Sequence, residues 1–138
     1  MQVNLDNDLS SHGIRAYQPG EITITLPTQG DSNTAGPVET EMMTGSFVIS
    51  PRHLIRDWPP INIEALLEQH LKILIELQPE VVLLGTGQNL RFPETGILAQ
   101  LHNQQIGVEV MDTAAACRTY NILMTEGRFV VAGMINPG

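Results

Sequence analysis

The second half of this chain alternates three apolar, strand-like runs with two stretches long enough to form helices. The runs cover Val81 to Leu84, Ile106 to Met111 and Phe129 to Ile135, and the helical stretches cover Pro93 to Asn103 and Ala114 to Met124. Alternating strands and helices imply right-handed crossovers, which place the strands parallel. A run that is apolar throughout is typical of a strand covered on both faces. A β-α-β-α-β unit with a mainly parallel sheet is therefore predicted.

The first half of the chain is predicted to supply antiparallel strands. Residues Ile14 to Tyr17 and Glu21 to Leu26 flank the turn dipeptide Pro19-Gly20, and apolar residues alternate with threonines in the second segment. This pattern is typical of a β-hairpin with one buried face. A third strand is expected from about Glu41 to Ile49. These strands would make the central sheet a mixed one.

A helix is predicted between the two halves. Asn62 suits the N-cap, and apolar residues follow at helical spacing as far as Leu77, before Pro79 ends the helix. The preceding segment, Arg52 to Pro60, is expected to be an ordered crossing loop. His70 lies on the apolar stripe of this helix, so we expect a hydrogen-bonded core or boundary histidine there rather than a metal ligand.

The length and charge of the chain narrow its class. With 138 residues it is predicted to be one domain over residues 1–138, with a polar, poorly ordered start over residues 1–12. Its net charge is −8, and Lys72 is its one lysine. Nucleic-acid binding needs clustered Lys and Arg, so nucleic acid is not an expected partner. An anionic membrane surface is disfavoured for the same reason.

Cysteine use and hydropathy predict a cytoplasmic protein. Cys117 is the one cysteine, which excludes a disulfide within the chain. Residues 1–10 lack the apolar stretch of a signal peptide, and no run of about 18 apolar residues could span a bilayer. The chain is therefore not expected to be an integral membrane protein.

The strongest candidate for a binding site follows the buried strand at Val81 to Leu84. Backbone N–H groups of the glycine-containing bend could approach an anion, and the start of the last helix would face this bend because parallel strands share one carboxyl edge. The alternative is a plain strand-to-helix turn. It is favoured because the third glycine of a dinucleotide motif and a Gly-Lys-Ser phosphate loop are both missing. The residues of this hypothetical anion site are Gly85, Thr86, Gly87, Gln88, Arg91, Asp112 and Thr113.

Catalytic and metal-binding residues do not stand out. The dipole of the last helix could lower the pKa of Cys117, but no histidine can be placed beside it, so a buried structural cysteine is favoured. The four histidines share no metal-ligand spacing, and we expect neither a metal nor a cofactor. Glu109 lies between valines on a strand expected to be internal, where a carboxylate needs a partner or a shifted pKa. Arg118, Arg128 or Tyr120 could be that partner.

Trp58 and the pair Met42-Met43 leave two alternatives open. An aromatic anchor with flexible methionines suits a protein partner, including a second copy of the chain in a homodimer. The same residues suit a lid over the core equally well.

Several segments of the chain resemble a known family. They are Val82 to Gly87, Gly107 to Thr113 and Ala115 to Leu123, with Gly45 to Phe47 and Ser50-Pro51 in the first half. These segments are similar to the Mth938-like domain family of unknown function, which includes mitochondrial respiratory complex I assembly factor 3. The resemblance extends over roughly Gly13 to Ile135 and implies a three-layer α/β domain with a mixed central sheet. It marks positions without an assigned role, namely Gly85, Thr86, Gly87, Glu109, Asp112, Thr113, Cys117, Arg118, Tyr120, Asn121 and Arg128.

Two hypotheses about function follow. The resemblance implies a non-enzymatic protein that helps to assemble a larger, membrane-associated complex through contacts with a protein partner. Without a recognisable mitochondrial presequence, the chain looks like a bacterial member. The alternative is a small-anion or nucleotide-binding domain, with or without an unrecognised enzymatic activity, that uses the bend at Gly85 to Arg91 and the helix start at Thr113. Catalysis is the less favoured interpretation.

Overall fold

Strands dominate the first half of the molecule, and helices enter from its middle onward. The structure, a computed structural model, describes residues 11–27 and 38–136. Within these residues the strands are β1 (Gly13–Gln18), β2 (Glu21–Thr25), β3 (Thr40–Met43), β4 (Phe47–Ile49), β5 (Leu54–Ile55), β6 (Val81–Gly85), β7 (Gly107–Met111) and β8 (Val130–Met134). The helical segments are a 3₁₀ turn (Ile63–Ala65), α1 (Glu68–Glu76), α2 (Ala99–Asn103) and α3 (Thr113–Thr125).

The strands form two separate sheets. One is antiparallel, in the order β1-β2-β3, and the other has five strands in the order β5-β4-β8-β6-β7. In the larger sheet β6 pairs in parallel with β7 and β8, whereas β4 pairs antiparallel with β8 and β5. The predicted mixed sheet is thus confirmed. Its antiparallel part comes from β4 and β5, however, and the predicted hairpin β1-β2 belongs to the other sheet.

The single strand predicted from about Glu41 to Ile49 is wrong, because this segment crosses from one sheet to the other. It divides into β3 and β4, and Ser46 lies at the division. The hydroxyl of Ser46 accepts a hydrogen bond from Asn136 N at 3.0 Å, and its carbonyl accepts one from Trp58 N at 3.1 Å. These two bonds hold the crossing segment against the end of β8 and against the loop that contains Trp58.

The larger sheet is covered on both faces. Val81 and Leu83 of β6 pack into a cluster with α3 and the smaller sheet, while Val82 and Leu84 pack into a second cluster with α1 and α2. Successive side chains of a strand point to opposite faces, so a strand between two layers is apolar throughout. The result is the predicted three-layer α/β arrangement.

Two predicted helices are shorter than expected. Asn62 caps only the 3₁₀ turn, through a hydrogen bond from Ala65 N to its Oδ1 at 2.8 Å, and α1 begins at Glu68 because Leu66 and Leu67 are extended. The helix predicted from Pro93 forms only from Ala99, after Gly96, which is a poor helix former. The predicted last helix is confirmed, and Asp112 is its cap.

Trp58 lies in the core and not on an exposed patch. Its side chain is 3% exposed, and its ring packs so closely on Gly133 that a Cβ there would come within 2.6 Å of it. Its indole N–H donates to the carbonyl of His70 at 3.3 Å. Met43 is buried as well, which leaves Met42 as the exposed member of the methionine pair. Of the two alternatives, the structure supports the lid over the core.

The crossing loop that holds Trp58 is ordered, as expected, and contains the short strand β5. Of the start that was predicted to be poorly ordered, residues 1–10 lie outside the described residues. Ser11 and His12 are described, and His12 N donates to Pro51 O at 2.9 Å. His70 is buried, and its Nδ1 accepts a hydrogen bond from Leu67 N at 2.9 Å, which confirms a hydrogen-bonded core histidine.

Candidate functional site

The bend after β6 lies directly beside the start of α3. Gly87 N donates to Thr113 Oγ1 at 2.8 Å, and Thr113 N donates back to Gly87 O at 2.9 Å. Thr113 is buried, and its hydroxyl also donates to Ile135 O at 2.7 Å. The parallel strands therefore bring the predicted bend and the predicted helix start together at one edge, hereafter the carboxyl edge.

Gly85 and Gly87 have different roles at this edge. A Cβ at Gly85 would lie 2.9 Å from Thr113 Oγ1 and 3.1 Å from Thr113 Cα, so only glycine lets α3 pack this closely on β6. Gly87 adopts a φ of +105°, a backbone conformation that residues other than glycine rarely adopt. Both glycines are buried; Gly85 is explained by the packing of α3 on β6 and Gly87 by its backbone conformation.

The groups predicted to meet an anion are engaged within the chain. Asp112 Oδ1 accepts from Ala115 N at 2.8 Å and places a carboxylate at the helix start. Thr86 Oγ1 donates to Asn89 O at 2.6 Å and accepts from Arg91 N at 3.2 Å. The Arg91 guanidinium is paired with Glu64 at 2.9 Å. An anion would have to compete with these contacts, and the anion site stays a prediction.

Two adjoining depressions lie at this edge. One has a volume of about 400 Å³ and is lined by residues of the bend, including Gln88, together with Glu64. The other has a volume of about 570 Å³ and is lined by residues such as Ser46, Ile61 and Asn136. Asn62 borders both, so together they follow the ends of the central strands.

Asn136 was missed by the sequence analysis. It is 3% exposed, and its side-chain amide donates to Met43 O at 3.0 Å and to Gly45 O at 3.2 Å. It thereby ties the end of β8 to the crossing between the two sheets. The sequence feature that points to Asn136 is its position: it is a polar residue directly after the last apolar run, at the same edge of the sheet as the bend.

Motif positions on α3 fasten the first strand to the helix. Tyr120 Oη donates to His12 O at 2.8 Å. Asn121 Oδ1 accepts from Ile14 N at 2.9 Å, and its Nδ2 donates to Ile14 O at 2.7 Å. These contacts give both residues a structural role that their spacing along the sequence does not reveal.

Cys117 is a buried structural cysteine, as predicted. Burial raises the pKa of its thiol to about 12, and the charge of Asp112 adds to this effect while that of Arg118 opposes it. The thiol is therefore protonated at neutral pH, which is unlike an activated nucleophile. Arg118 itself is exposed.

The prediction that Glu109 lies on an internal strand is wrong. Its strand, β7, stands at the end of the five-stranded sheet, and the Glu109 side chain is exposed. Of its proposed partners, Arg128 pairs with Glu80 at 2.8 Å and the Tyr120 hydroxyl bonds to His12. A carboxylate on an exposed edge strand is solvated and also discourages pairing with other strands.

Ser50 and His53 form a pair that resembles a nucleophile and its base. Their Oγ and Nδ1 atoms lie 3.1 Å apart. Ser50 is 0% exposed, however, and its Oγ accepts the backbone N–H of His53 at 2.9 Å. The pair closes the turn after β4, a local bond that serine often makes.

Neither a metal-binding cluster nor a membrane-spanning helix is found among the described residues. Over residues 11–27 and 38–136, no group of three or more His, Cys, Asp or Glu side chains is arranged to hold a metal ion. The helices of these same residues include none whose length and apolar character would let it cross a membrane.

Several large apolar side chains are exposed among the described residues. Four large ones belong to the two segments that the Glu64–Arg91 ion pair joins. We call Ile61, Leu67, Leu90 and Phe92 the edge apolar group. The other large apolar side chains that are exposed among the described residues are Val38, Met42 and Ile122.

Comparison with known proteins gives matches over most of the chain. The model of a family described as "Protein of unknown function (DUF498/DUF598)" matches residues 14–135. The human protein named NADH dehydrogenase (ubiquinone) 1 alpha subcomplex assembly factor 3 is 31% identical over 102 residues, which are 70% of this chain and 55% of that protein. A Francisella tularensis protein named 13 kDa major membrane protein is 33% identical over 69 residues, 50% of this chain and 56% of that protein. The chain thus spans about half the length of the curated relatives it matches.

A solved structure agrees with the fold. The solution structure of a Bordetella pertussis protein, described as a Mth938-like domain, matches with a TM-score of 0.72 and 25% identity, and the match covers 100% of this chain and 92% of that chain. The α/β architecture predicted from the sequence is confirmed by this match.

Proposed function

Because this chain belongs to the DUF498/DUF598 family of proteins of unknown function, and has a relative named as a respiratory assembly factor, we propose that it is a non-catalytic assembly protein. It acts through contacts with a protein partner on a larger, membrane-associated complex. The observation that carries this proposal is the match to the human assembly factor over 70% of the chain.

The geometry of the carboxyl edge supports a role in contacts rather than in chemistry. The bend, the helix start and the final residues of β8 are bonded to one another through Gly87, Thr113 and Ile135. Away from this edge, burial raises the pKa of the Cys117 thiol, and Ser50 is buried as well. In addition to its polar side chains, this edge exposes the apolar side chains of the edge apolar group. Exposed apolar area is a common feature of interaction surfaces.

We propose a cytoplasmic location for the chain, with its complex at the membrane. The name of the Francisella relative, a major membrane protein, supports an association with membranes. The acidic chain, with a net charge of −8, is unsuited to binding an anionic bilayer directly, so a protein partner is the simpler link. It stays a prediction that the chain does not bind nucleic acid, and it stays a prediction that it forms a homodimer.

Deletion of the gene from its host tests the proposed function. We expect a fully assembled membrane complex to decrease on native gels while partly assembled forms accumulate, and NADH dehydrogenase is the first to measure because the human relative is named for it. Re-expression of the wild-type chain restores the complex. Unchanged levels of every membrane complex after deletion would contradict the proposal.

A small-anion or nucleotide-binding role is the second candidate. The 400 Å³ depression beside Gly87 and Arg91, at the edge where parallel sheets commonly bind ligands, is the observation in its favour. The internal contacts of Arg91, Thr86 and Asp112 weigh against it. A titration of wild type and Arg91→Ala with phosphates and nucleotides separates the two candidates.

A further inference from the structure

We propose that the edge apolar group, Ile61, Leu67, Leu90 and Phe92, is a docking surface for a basic amphipathic segment of a partner protein. Such a segment carries apolar side chains flanked by lysine or arginine. The inference rests on the proposed function, because it specifies the chemistry of the partner that an assembly protein would hold.

The four side chains belong to two segments that the structure holds side by side. Arg91 of one segment pairs with Glu64 of the other at 2.9 Å, and Gln100 Nε2 donates to Glu68 O at 2.9 Å. Phe92 is 71% exposed and Ile61 is 69% exposed, while Leu67 and Leu90 are about half exposed. Each of the four therefore leaves apolar area uncovered on the two joined segments.

Hydrogen bonds hold both segments in one conformation before any partner binds. The Thr86 hydroxyl binds Asn89 O and Arg91 N, on either side of Leu90. Asn62 caps the 3₁₀ turn, and His70 Nδ1 accepts the N–H of Leu67. A surface that is already ordered loses little conformational entropy on binding, which favours affinity.

The charges around the group select the partner. Residues 57–68 and 88–94 contain four carboxylates, all exposed, and one guanidinium, which is already paired with one of them. The carboxylates are those of Asp57, Glu64, Glu68 and Glu94. An excess of negative charge around an apolar centre attracts a basic segment and repels acidic ones.

The same charges disfavour two other occupants. An anionic bilayer would face like charge at this edge. A second copy of the chain carries the same net charge of −8 and the same carboxylates, so a symmetric contact through this surface would bring them together. A basic segment from a different protein meets neither obstacle.

Peptide binding to the full chain tests the proposal. The probe is a fluorescently labelled amphipathic peptide of leucine and lysine, about 18 residues long, and its counterpart replaces lysine with glutamate. Fluorescence anisotropy gives the affinity of each. We expect the lysine peptide to bind and the glutamate peptide to bind at least about tenfold more weakly.

Matched variants locate the binding. The double variant Leu90→Ser with Phe92→Ser is expected to weaken binding of the lysine peptide by about tenfold or more, whereas Ile122→Ser, at a position on α3 that is 57% exposed, leaves it unchanged. Glu68→Lys with Glu94→Lys is expected to weaken it as well. Glu21→Lys with Glu126→Lys makes the same change in net charge at other exposed positions and serves as its control.

Several results would overturn the docking surface. One is that the control variants lose as much affinity for the lysine peptide as the test variants do. Others are that both peptides bind equally well or that the lysine peptide does not bind. A last one is that the protein binds phosphatidylserine vesicles and Leu90→Ser with Phe92→Ser abolishes this binding. The proposed function is judged separately. If the Leu90/Phe92 variant restores assembly in the deletion strain, the docking surface is wrong while the assembly role stands; if deletion has no effect on any complex, the assembly role fails whatever the peptides do.

Discussion

The side-chain amide of Asn121 binds both backbone groups of Ile14, accepting from its N–H at 2.9 Å and donating to its carbonyl at 2.7 Å. In doing so it takes the place of a neighbouring strand on the outer side of β1. The register of β1 against β2 shifts between Ile14 and Ala16, next to this contact. A polar side chain on α3 thus completes the hydrogen bonding of a strand that lies 107 residues away in sequence.

Asn121→Ala is expected to lower the free energy of unfolding by about 1–3 kcal/mol, because it removes the partner of a part-buried N–H and a part-buried C=O. Chemical denaturation measures the change. Asn103→Ala, at an exposed position at the end of α2, is the control and should change stability by less than about 0.5 kcal/mol. Equal stability of the two variants would show that the Ile14 contact contributes little.

Thr113→Val is expected to destabilise the protein by about 2–4 kcal/mol, since it deprives Gly87 N–H and Ile135 C=O of their shared hydroxyl without changing the volume much. Thr113→Ser keeps the hydroxyl and should retain more of the stability. The difference between the two variants, measured by urea unfolding, reports the hydrogen bonds. If valine is tolerated as well as serine, packing alone holds the bend to α3.

Gly133→Ala is expected to cost about 1–3 kcal/mol by overpacking, because the new Cβ would lie 2.6 Å from the ring of Trp58. Gly45→Ala, where a Cβ meets nothing within 4 Å, is the matched control. A smaller ring in Trp58→Phe should make Gly133→Ala less damaging, and a double-mutant cycle detects this coupling. Additive effects would mean that the two residues do not press on each other.

Ionisation of Cys117 should lower stability at alkaline pH. Burial raises the pKa of the folded thiol to about 12 from 9.0, so above about pH 9 the unfolded chain loses a proton that the folded chain keeps. Stability that is present below pH 9 is therefore lost as the pH rises, at up to about 1.4 kcal/mol per pH unit. Cys117→Ala removes this contribution, and unfolding measured from pH 8 to about 10.5 compares the two proteins. Parallel curves would contradict a buried, neutral thiol.

Phosphate and nucleotide binding at the Gly87 bend is testable by thermal shift. Because Arg91 is already paired with Glu64, we expect wild type and Arg91→Ala to show the same small rise in Tm with millimolar ligand. A rise of more than about 2 °C in wild type that Arg91→Ala loses would instead favour the anion-binding candidate.

The elements of the second half were predictable because their signals are local. Apolar runs, glycines and polar caps are each recognisable within a short stretch of sequence. As a result, the observed bounds of β6, β7, β8 and α3 lie within a residue or two of the predicted ones. The predicted contact between the bend and Thr113 followed from the parallel pairing of β6 and β7. The helix predicted from Asn62 began late because a good cap does not require that the next turn be α-helical.

The roles of single residues in the candidate site were mostly not predictable. Glu109 was misplaced because nothing in its neighbours tells an edge strand from a central one. Trp58 has room in the core only because Gly133, from the last strand, leaves space for its ring. Asn136, Asn121 and Tyr120 bind residues from the first part of the chain, and sequence spacing contains no record of such pairs.

By itself, the sequence determined the periodic elements, the parallel unit of the second half and the capped start of α3, since each depends on residues within a few positions of one another. Only the tertiary structure decided that the hairpin forms its own sheet, that β7 lies at an edge and that Trp58 is buried. These outcomes depend on which distant surfaces fit together. That fit depends on many long-range contacts that form together in the packed chain. No short stretch of residues therefore determines it.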